Sequence, residues 1–463
     1  MPDYDLVVLG AGPGGYVAAL RAAQLGLRTA VVERDRPGGV CGNWGCIPSK
    51  AILTDAALFA ELRGGAARGI VADGLRVDYP RVIARSRESA DRQAKGVEFL
   101  FRKAKVAYHH GTGRLAAGGI EVSADGRDGE HLRTRHLLLA TGSRERTLPG
   151  LDVDGKLVLT SREALESSEL PRSVVIIGGG AIGVEFAYIY ASFGAKVTVV
   201  EMAGTLLPGM DPDLGRELAR AFRRQGIDVL MEHRYERAAR SPGRVDVTVS
   251  GGDGSRTLIT DRVLIAVGRA PLSDEIGLDE AGIRTDNGFV SVDGSMRTSA
   301  EGVYAIGDLV GPLLLAHTAS AQGVLAVETI AGKHADSGFD PSRIPVCIYC
   351  QPEVAAIGLT EPEARAKGYD VRVGKIPFRA LGKAMAAGHT DGFVKLVSEA
   401  HHGAVLGVHM IGAGVTELIA EAALARSLEA TTAEVAATVH AHPTLAEALH
   451  EAALAARGEA INV

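Results

Sequence analysis

Tyr4-Asp5-Leu6-Val7-Val8-Leu9-Gly10-Ala11-Gly12-Pro13-Gly14-Gly15 opens the chain with an apolar run that stops on a cluster of glycines. An alanine-rich stretch of helical character follows to about Gly26, and a second apolar run, Thr29 to Val32, ends at Glu33. Strand, G-x-G-x-x-G, helix, strand and acid, in that order, describe a dinucleotide-binding βαβ unit. Gly10 allows the tight turn, Gly12 lets a pyrophosphate approach the backbone, and Gly15 lets the helix pack on the strand. The phosphates then rest on the helix N-terminus, where free N–H groups and the dipole favour negative charge. Glu33 stands 23 residues after Gly10, the place from which a carboxylate bonds ribose hydroxyls.

The pattern recurs from Ser173. An apolar run, Val174 to Ile177, meets Gly178-Gly179-Gly180-Ala181-Ile182-Gly183, and a helical stretch runs to Gly194. The strand Lys196 to Val200 then ends at Glu201, again 23 residues after the first glycine of its motif. Two such units can hold two dinucleotides. Glu201 accepts a ribose 2′-OH and repels a 2′-phosphate, and Met202-Ala203-Gly204 brings no arginine, so NAD is expected here rather than NADP.

Between the two copies lies Gly38-Gly39-Val40-Cys41-Gly42-Asn43-Trp44-Gly45-Cys46-Ile47-Pro48-Ser49-Lys50, with two of the four cysteines and the only tryptophan. In one regular helix a five-residue separation lifts two side chains about 7.5 Å apart and turns them about 140°. A disulfide wants Cα atoms about 4.4–6.8 Å apart. If Cys41 and Cys46 bond, Cys41 is therefore expected in irregular backbone, which Gly42 and Gly45 permit. Pro48 suits the first turn of a helix. Cys46 at that N-terminus is placed for thiolate character, with Lys50 four residues on and on the same face. Two readings stand at this point: a redox-active dithiol, or two buried, inert thiols.

Composition excludes several classes. The chain has 463 residues, 46% of them hydrophobic and 23% charged, as in globular proteins of a few domains. A net charge of −6 argues against nucleic acid as a partner. Four cysteines are too few for a disulfide scaffold and suit a reducing compartment. No basic, apolar leader precedes Leu6, and no apolar run nears the roughly 20 residues of a membrane span. A cytoplasmic protein without membrane association is expected.

Elsewhere, residues 81–105 read as a long, solvated helix. Val106 to Leu139 reads as short strands and turns, with Ala124-Asp125-Gly126 as one turn. His109, His110, His131 and His136 have no ligand-like spacing and read as surface residues, and no metal site is expected. Leu137-Leu138-Leu139 runs into Ala140-Thr141-Gly142-Ser143, and Val263 to Val267 runs into Gly268-Arg269 in the same manner. Val303 to Ile306 ends in Gly307-Asp308, an acid that either binds a sugar hydroxyl or is a turn aspartate capping the next helix. Glu185 is either an inward group or a helix-start glutamate favoured by the dipole. Composition shifts at Gly332–Ser342, and beyond it Cys347-Ile348-Tyr349-Cys350 reads as structural, without a zinc partner pair. In His440-Ala441-His442-Pro443-Thr444-Leu445-Ala446-Glu447, Thr444 and Glu447 fit a capping box. Glu447 could equally orient the His442 imidazole as a general base.

Taken together, these motifs resemble the flavin-dependent pyridine nucleotide-disulfide oxidoreductases, and most closely the dihydrolipoamide dehydrogenases. The resemblance rests on Gly10–Gly15, Cys41-x4-Cys46 with Ile47-Pro48-Ser49-Lys50, Ala140-Thr141-Gly142 and the second nucleotide motif with Glu201. It continues through Ala305-Ile306-Gly307-Asp308, Pro352-Glu353-Val354, Thr390 to Lys395 and the terminal His-Ala-His-Pro-Thr-Leu-Ala-Glu. It implies an α/β fold with two Rossmann-like dinucleotide-binding domains and a C-terminal α+β dimerisation domain. The expected limits are 1–145 for the first part of the FAD-binding domain, 146–270 for the NAD-binding domain, 271–337 for a central domain and 338–463 for the interface. FAD is implied at Gly10, Gly12, Gly15, Glu33, Lys50, Thr141, Gly142, Asp308 and His317, and NAD at Gly178, Gly180, Gly183, Glu201 and Gly268. A homodimer is implied in which His442 and Glu447 reach the partner's Cys41, Cys46 faces the flavin, and Lys50 pairs with Glu185. A separate lipoyl carrier protein or lipoyl-bearing acyltransferase is the implied partner.

The chain departs from that family at four places. Gly42 stands for a usual leucine, Trp44 for a usual valine, Thr318 and Ala321-Gln322 for lysine and glutamates, and Cys347/Cys350 are additional. The alternatives are a reductase of another disulfide or of mercuric ion, which the absence of a C-terminal cysteine pair disfavours, or a non-catalytic flavin-binding scaffold subunit.

Overall fold

The computed structural model describes residues 2–462 apart from 125–126, 253, 275 and 334–337. The first glycine motif folds as its pattern dictates. β1 (Tyr4–Leu9) turns into α1 (Pro13–Gln24) and returns through β2 (Thr29–Glu33), parallel to β1. α2 (Gly39–Trp44), α3 (Cys46–Gly64) and α4 (Tyr79–Ala104) follow, then β3 (Ala107–His110), β4 (Thr112–Ala116), β5 (Gly119–Ala124) and β6 (Arg127–Leu139). Strand order is β3-β2-β1-β6-β5-β4, so the winding reverses between β1 and β6. That reversal opens a crevice at the carboxyl ends of the strands.

β7 (Ser143–Glu145) leads out of this sheet to β8 (Val158–Leu159) and α5 (Ser161–Glu166). The second motif gives β9 (Ser173–Ile177), α6 (Ala181–Ser192), β10 (Lys196–Val200), α7 (Pro212–Arg224) and β11 (Asp228–Leu230). β12 (Arg234–Ser241), β13 (Arg244–Gly251) and β14 (Gly254–Thr260) form an antiparallel trio before β15 (Arg262–Ile265) returns. The second parallel sheet has the order β11-β10-β9-β15-β8, with the same reversal between β9 and β15.

The chain then goes back. β16 (Arg269–Pro271) pairs with β7, β17 (Thr285–Asp286) with β18 (Phe289–Val290), and β19 (Val303–Ala305) joins the first sheet beside β6. α8 (Ala316–Ile330) packs against α1, where Ala18, Leu325 and Ala326 share one core. The last part is an antiparallel sheet of β20 (Val346–Ile348), β21 (Glu353–Gly358), β22 (Val371–Pro377), β23 (Phe393–Glu399) and β24 (Val405–Gly412), ordered β20-β21-β24-β23-β22. α9 (Glu361–Ala366), α10 (Gly382–Ala387), α11 (Val415–Ser427), α12 (Thr432–Ala437) and α13 (Glu447–Arg457) complete it. The architecture is the α/β arrangement expected, with two parallel dinucleotide sheets and a third, antiparallel one.

The charged stretch at 81–105 is α4, whose Ile83, Ala90, Ala94, Val97 and Phe101 are buried along one face. His110 and His131 are exposed, but His109 and His136 are half-buried, with His109 between the Tyr4 hydroxyl and Glu130. The turn at Ala124-Asp125-Gly126 and residues 334–337 of the composition shift lie outside the described residues.

A buried cation ties the second nucleotide unit to the last sheet. Lys395 on β23, with a side chain only 5% exposed, lies 3.0 Å from Asp211, 3.1 Å from Asp213 and 3.0 Å from Glu361. Burial pulls its pKa down, but hydrogen bonds to Glu361, Asp211 and Asp213 outweigh that and leave it raised. Burial pushes Asp213 up, yet Lys375, Arg216 and Lys395 hold it well below the usual carboxylate range. Glu361 is lowered, chiefly by Lys395. Lys395→Met would leave the fully buried Asp211 carboxylate without a cation and weaken the support of Asp213 and Glu361, and a loss of about 3–5 kcal/mol in denaturant unfolding is expected. The loss should persist at neutral pH. It should shrink as pH falls below the ordinary values of 4.5 for Glu361 and 3.8 for Asp213, and again as pH rises past the ordinary lysine value of 10.5.

Candidate active site

Cys41 and Cys46 are bonded, with Cα atoms 4.6 Å apart. The expectation of irregular backbone at Cys41 is corrected: Cys41 lies within the short helix α2. The break falls instead at Gly45, between α2 and α3. A Cβ on Gly45 would lie 3.2 Å from the Val40 carbonyl oxygen, so glycine lets the two short segments fold against each other. Cys46 is the first residue of α3, where unpaired N–H groups and the helix dipole favour a thiolate.

Lys50 follows one turn along α3, and both carboxylate oxygens of Glu185 on α6 lie 2.9 Å from its Nζ. α3 packs on α6 through a shared core that includes Ile52, Leu53, Phe186 and Tyr190, which sets that meeting. Glu185 is an inward group, with its side chain 8% exposed. Its Oε1 also accepts the Tyr349 N–H at 3.0 Å, and the Tyr349 ring centroid is 4.6 Å from Lys50 Nζ. Tyr349 escaped the sequence reading, although it stands between the two extra cysteines. Ile348 and Cys350 belong to the core shared by α3 and α6, whereas Cys347 packs against the core of the last sheet. Burial pushes Cys347 up to about 11 and Cys350 far above its ordinary value, so both remain thiols. Among the described residues no cluster of three or more His, Cys, Asp or Glu is arranged to hold a metal.

The two glycine motifs have matching geometry. Gly10 (φ +105°) and Gly178 (φ +109°) each turn so tightly that a Cβ would lie 2.3 Å from the carbonyl oxygen of Ala140 or Ala266. Those carbonyls lead into Thr141-Gly142 and Val267-Gly268. A Cβ on Gly15 or Gly183 would lie 1.9 Å from the carbonyl of Gly10 or Gly178. By contrast Gly180 faces open space, and a Cβ on Gly12 would meet only the Gly39 Cα at 4.0 Å. Each turn thus leaves a cradle at a helix N-terminus, the shape that a dinucleotide pyrophosphate requires. Replacing Gly15 or Gly183 by alanine is expected to lower occupancy of the corresponding dinucleotide by at least about 100-fold, as read by equilibrium dialysis.

The acids at the strand ends are held alike. Glu33 accepts the N–H groups of Ala11 (2.8 Å) and Asp35 (2.9 Å), and Glu201 those of Gly179 and Ala203 (2.7 Å each). Burial pushes the Glu33 carboxyl above its ordinary value despite those bonds. Asp308 lies in a short 3-10 turn after β19 and does not cap α8. It accepts the Ser143 hydroxyl and lies 4.0 Å from Arg269 Nε, and burial raises its carboxyl. Arg269 donates to the Ser143 hydroxyl and carbonyl at 2.7 Å each. The contacts of Ser143 and Arg269 with Asp308 are not foreseen in the sequence, although each residue directly follows the glycine at the end of its strand. The Thr141 hydroxyl is spent on the Leu272 carbonyl at 2.7 Å, and His317 Nε2 lies 2.7 Å from the Pro345 carbonyl oxygen.

Near the C-terminus, His442 Nδ1 lies 2.8 Å from Glu447 Oε1, and Glu447 Oε2 accepts the Thr444 N–H at 2.9 Å. The reciprocal capping box is not formed: the Thr444 hydroxyl donates to Ala441, and α13 begins only at Glu447. The His442 side chain is 76% exposed, and among the described residues no bond or ion pair joins it to Cys41 or Cys46 within one chain.

Two dinucleotide cradles flanking a dithiol define a nucleotide-dependent disulfide oxidoreductase. The chain belongs to the pyridine nucleotide-disulphide oxidoreductase family, whose model matches residues 4–323, with the family's dimerisation domain at residues 344–453. Family members use FAD and NAD(H), and the dimerisation domain supports a homodimer. The chain is similar to the dihydrolipoyl dehydrogenase of Zymomonas mobilis, 45% identical over 99% of each chain, and to that of Bacillus subtilis, 44% identical over 99% of each. It resembles the crystal structure of LpdA from Mycobacterium tuberculosis at a TM-score of 0.90 and 29% identity, covering 97% of this chain and 98% of that one. The HOCl-induced flavoprotein disulfide reductase RclA of Escherichia coli matches at 0.86 and 26%, covering 97% and 99%. Among the described residues no helix is long and apolar enough to cross a membrane.

Proposed function

We propose that this protein is an NAD-dependent dihydrolipoyl dehydrogenase, which oxidises the dithiol of a protein-bound dihydrolipoyl group. The reading is carried by the Cys41–Cys46 disulfide at the start of α3, one turn from the Lys50–Glu185 pair and between two nucleotide cradles. Full-length relatives named dihydrolipoyl dehydrogenase support the substrate.

His442 acts in the homodimer, reaching the partner subunit's Cys41. With Nδ1–H donated to Glu447, Nε2 is left as an acceptor and takes the proton of an incoming thiol. The resulting thiolate attacks Cys41, the S–S bond breaks, and Cys46 leaves as a thiolate stabilised by the helix N-terminus and Lys50. The second substrate thiol, its proton lost to solvent, displaces Cys41 and closes the lipoyl disulfide, and the Cys41 thiolate so released takes the proton held by His442. FAD supplies the acceptor for the electron pair of the dithiol, and NAD the onward carrier. Gly10, Gly12, Gly15, Glu33, Thr141, Gly142, Asp308 and His317 would hold FAD, with Ser143 and Arg269 steadying Asp308. Gly178, Gly180, Gly183, Glu201 and Gly268 would hold NAD. The partner is a lipoyl-bearing acyltransferase or a separate lipoyl carrier protein.

Turnover of dihydrolipoamide and NAD by the FAD-loaded protein tests this. Steady NADH formation is expected, with kcat/KM at least about 100-fold lower for NADP, because Glu201 repels a 2′-phosphate. Absence of turnover with either nucleotide would contradict the proposal.

A further inference from the structure

We propose that Trp44 is a positioning residue for the redox disulfide: held by contacts with two guanidinium groups, it pins the short helix that carries Cys41 and so sets the thiol–disulfide equilibrium of Cys41 and Cys46. The proposal rests on the reading of this pair as the redox centre.

α2 has only six residues, too few for its own hydrogen bonds to hold it, and Gly45 separates it from α3. Its front end is tied to the first glycine turn, where the Gly38 N–H donates to the Ala11 carbonyl at 2.8 Å, and the placement of the rest depends on side chains. At its front, the Asn43 amide donates to the carbonyls of Pro37 and Gly39 at 3.0 Å each. At its end, the Trp44 ring lies 4.5 Å from Arg87 Cζ and 4.2 Å from Arg162 Cζ. The indole N–H donates to Asp35 at 2.8 Å, and Asp35 lies 3.6 Å from Arg162. Arg87 also donates to the Asn43 carbonyl at 2.6 Å. Arg87 belongs to α4, Arg162 to α5 and Asp35 to the loop after β2, so three separate elements converge on one ring. Asp35, with Glu166 acting on Arg87, supplies the charge that lets two cations meet at one ring.

This anchoring matters when the disulfide opens. Reduction by glutathione converts the Cys41–Cys46 disulfide and two glutathione thiols into two cysteine thiols and glutathione disulfide. How strongly the protein resists depends on how often the two freed sulfurs still meet. Anchored α2 keeps Cys41 beside Cys46 after the bond breaks, which favours reclosure. Without the ring, α2 can swing about Gly45 and the sulfurs drift apart.

The test equilibrates FAD-loaded protein with glutathione buffers of graded ratio, traps thiols by alkylation, and counts label on Cys41 and Cys46 by mass spectrometry. Trp44→Ala is expected to shift the equilibrium toward the dithiol by about 3- to 10-fold, tenfold being about 30 mV. Trp44→Phe, which keeps a ring against the arginines, should stay within about twofold of the unaltered protein. Arg162→Ala, which leaves α2 untouched, should shift it in the same direction by a smaller factor. A ring that only stabilises the fold would lower the melting temperature and leave the equilibrium alone. A folded Trp44→Ala protein within twofold of the original overturns the proposal. If that variant does not fold, an unchanged equilibrium in Arg162→Ala overturns it. Failure of the unaltered Cys41–Cys46 pair to exchange at any glutathione ratio refutes the redox reading itself, and the proposal with it.

Discussion

Cys46→Ser is expected to abolish dihydrolipoamide-dependent NAD reduction, by roughly 10⁴-fold or more in kcat. Serine fills nearly the same space at the first position of α3, so fold and nucleotide binding should survive. What disappears is the bond that accepts the electron pair and the leaving group that carries it inward. A hydroxyl cannot close a disulfide with Cys41, and its pKa lies far above that of a thiol at a helix N-terminus. Cys347→Ala should retain activity within about twofold, because that thiol packs in another core and burial keeps it protonated. Initial rates at saturating NAD, with flavin content measured on the same samples, check both. Substantial activity in Cys46→Ser would mean that electrons take another path.

His442→Gln should slow the thiol half-reaction by about 10²- to 10⁴-fold with little change in KM, since it removes proton transfer and not binding. Rapid mixing of oxidised protein with dihydrolipoamide, without NAD, isolates that half-reaction. Glu447→Gln should cost less, about 10- to 100-fold, because the amide oxygen can still accept the Thr444 N–H while the charge that steadies the imidazole is lost. The Thr444 N–H, followed by His442, holds the Glu447 carboxyl below its ordinary value of 4.5. Its contribution is therefore complete above that pH and fades only as pH falls through the lowered value. The Glu447 carboxylate is therefore charged throughout the assay range, and its own protonation does not vary the Glu447→Gln deficit there. A rate unchanged in His442→Gln would reduce this segment to a helix start.

The parts legible in sequence are those in which backbone geometry demands a residue type locally. Gly10 and Gly15, with their copies Gly178 and Gly183, could be read because no other residue fits so tight a turn or so close a helix. The dithiol could be read because two cysteines, a proline and a lysine at that spacing have few other uses. The backbone at Cys41 could not, because α2 is held by Arg87 and Arg162, which lie 43 and 118 positions beyond Trp44. Tyr349 meets Lys50 and Glu185 only once the last sheet docks on α3 and α6. Ser143, Arg269 and Asp308 converge because β7 pairs with β16 and β19 returns to the first sheet, long-range events without a local signature. At Thr444 the local capping pattern was half right: Glu447 reaches back to the backbone, but its other oxygen is taken by His442.

The most direct measurement asks which cysteines the substrate opens. Oxidised, FAD-loaded protein is mixed with dihydrolipoamide under anaerobic conditions, without NAD, then alkylated and mapped by mass spectrometry. Label should appear on Cys41 and Cys46 in proportion to dihydrolipoamide consumed, with labelling of Cys347 and Cys350 unchanged by the substrate, and adding NAD before alkylation should protect the pair again. A Cys41–Cys46 disulfide that stays closed while dihydrolipoamide is oxidised would contradict the role given to this dithiol.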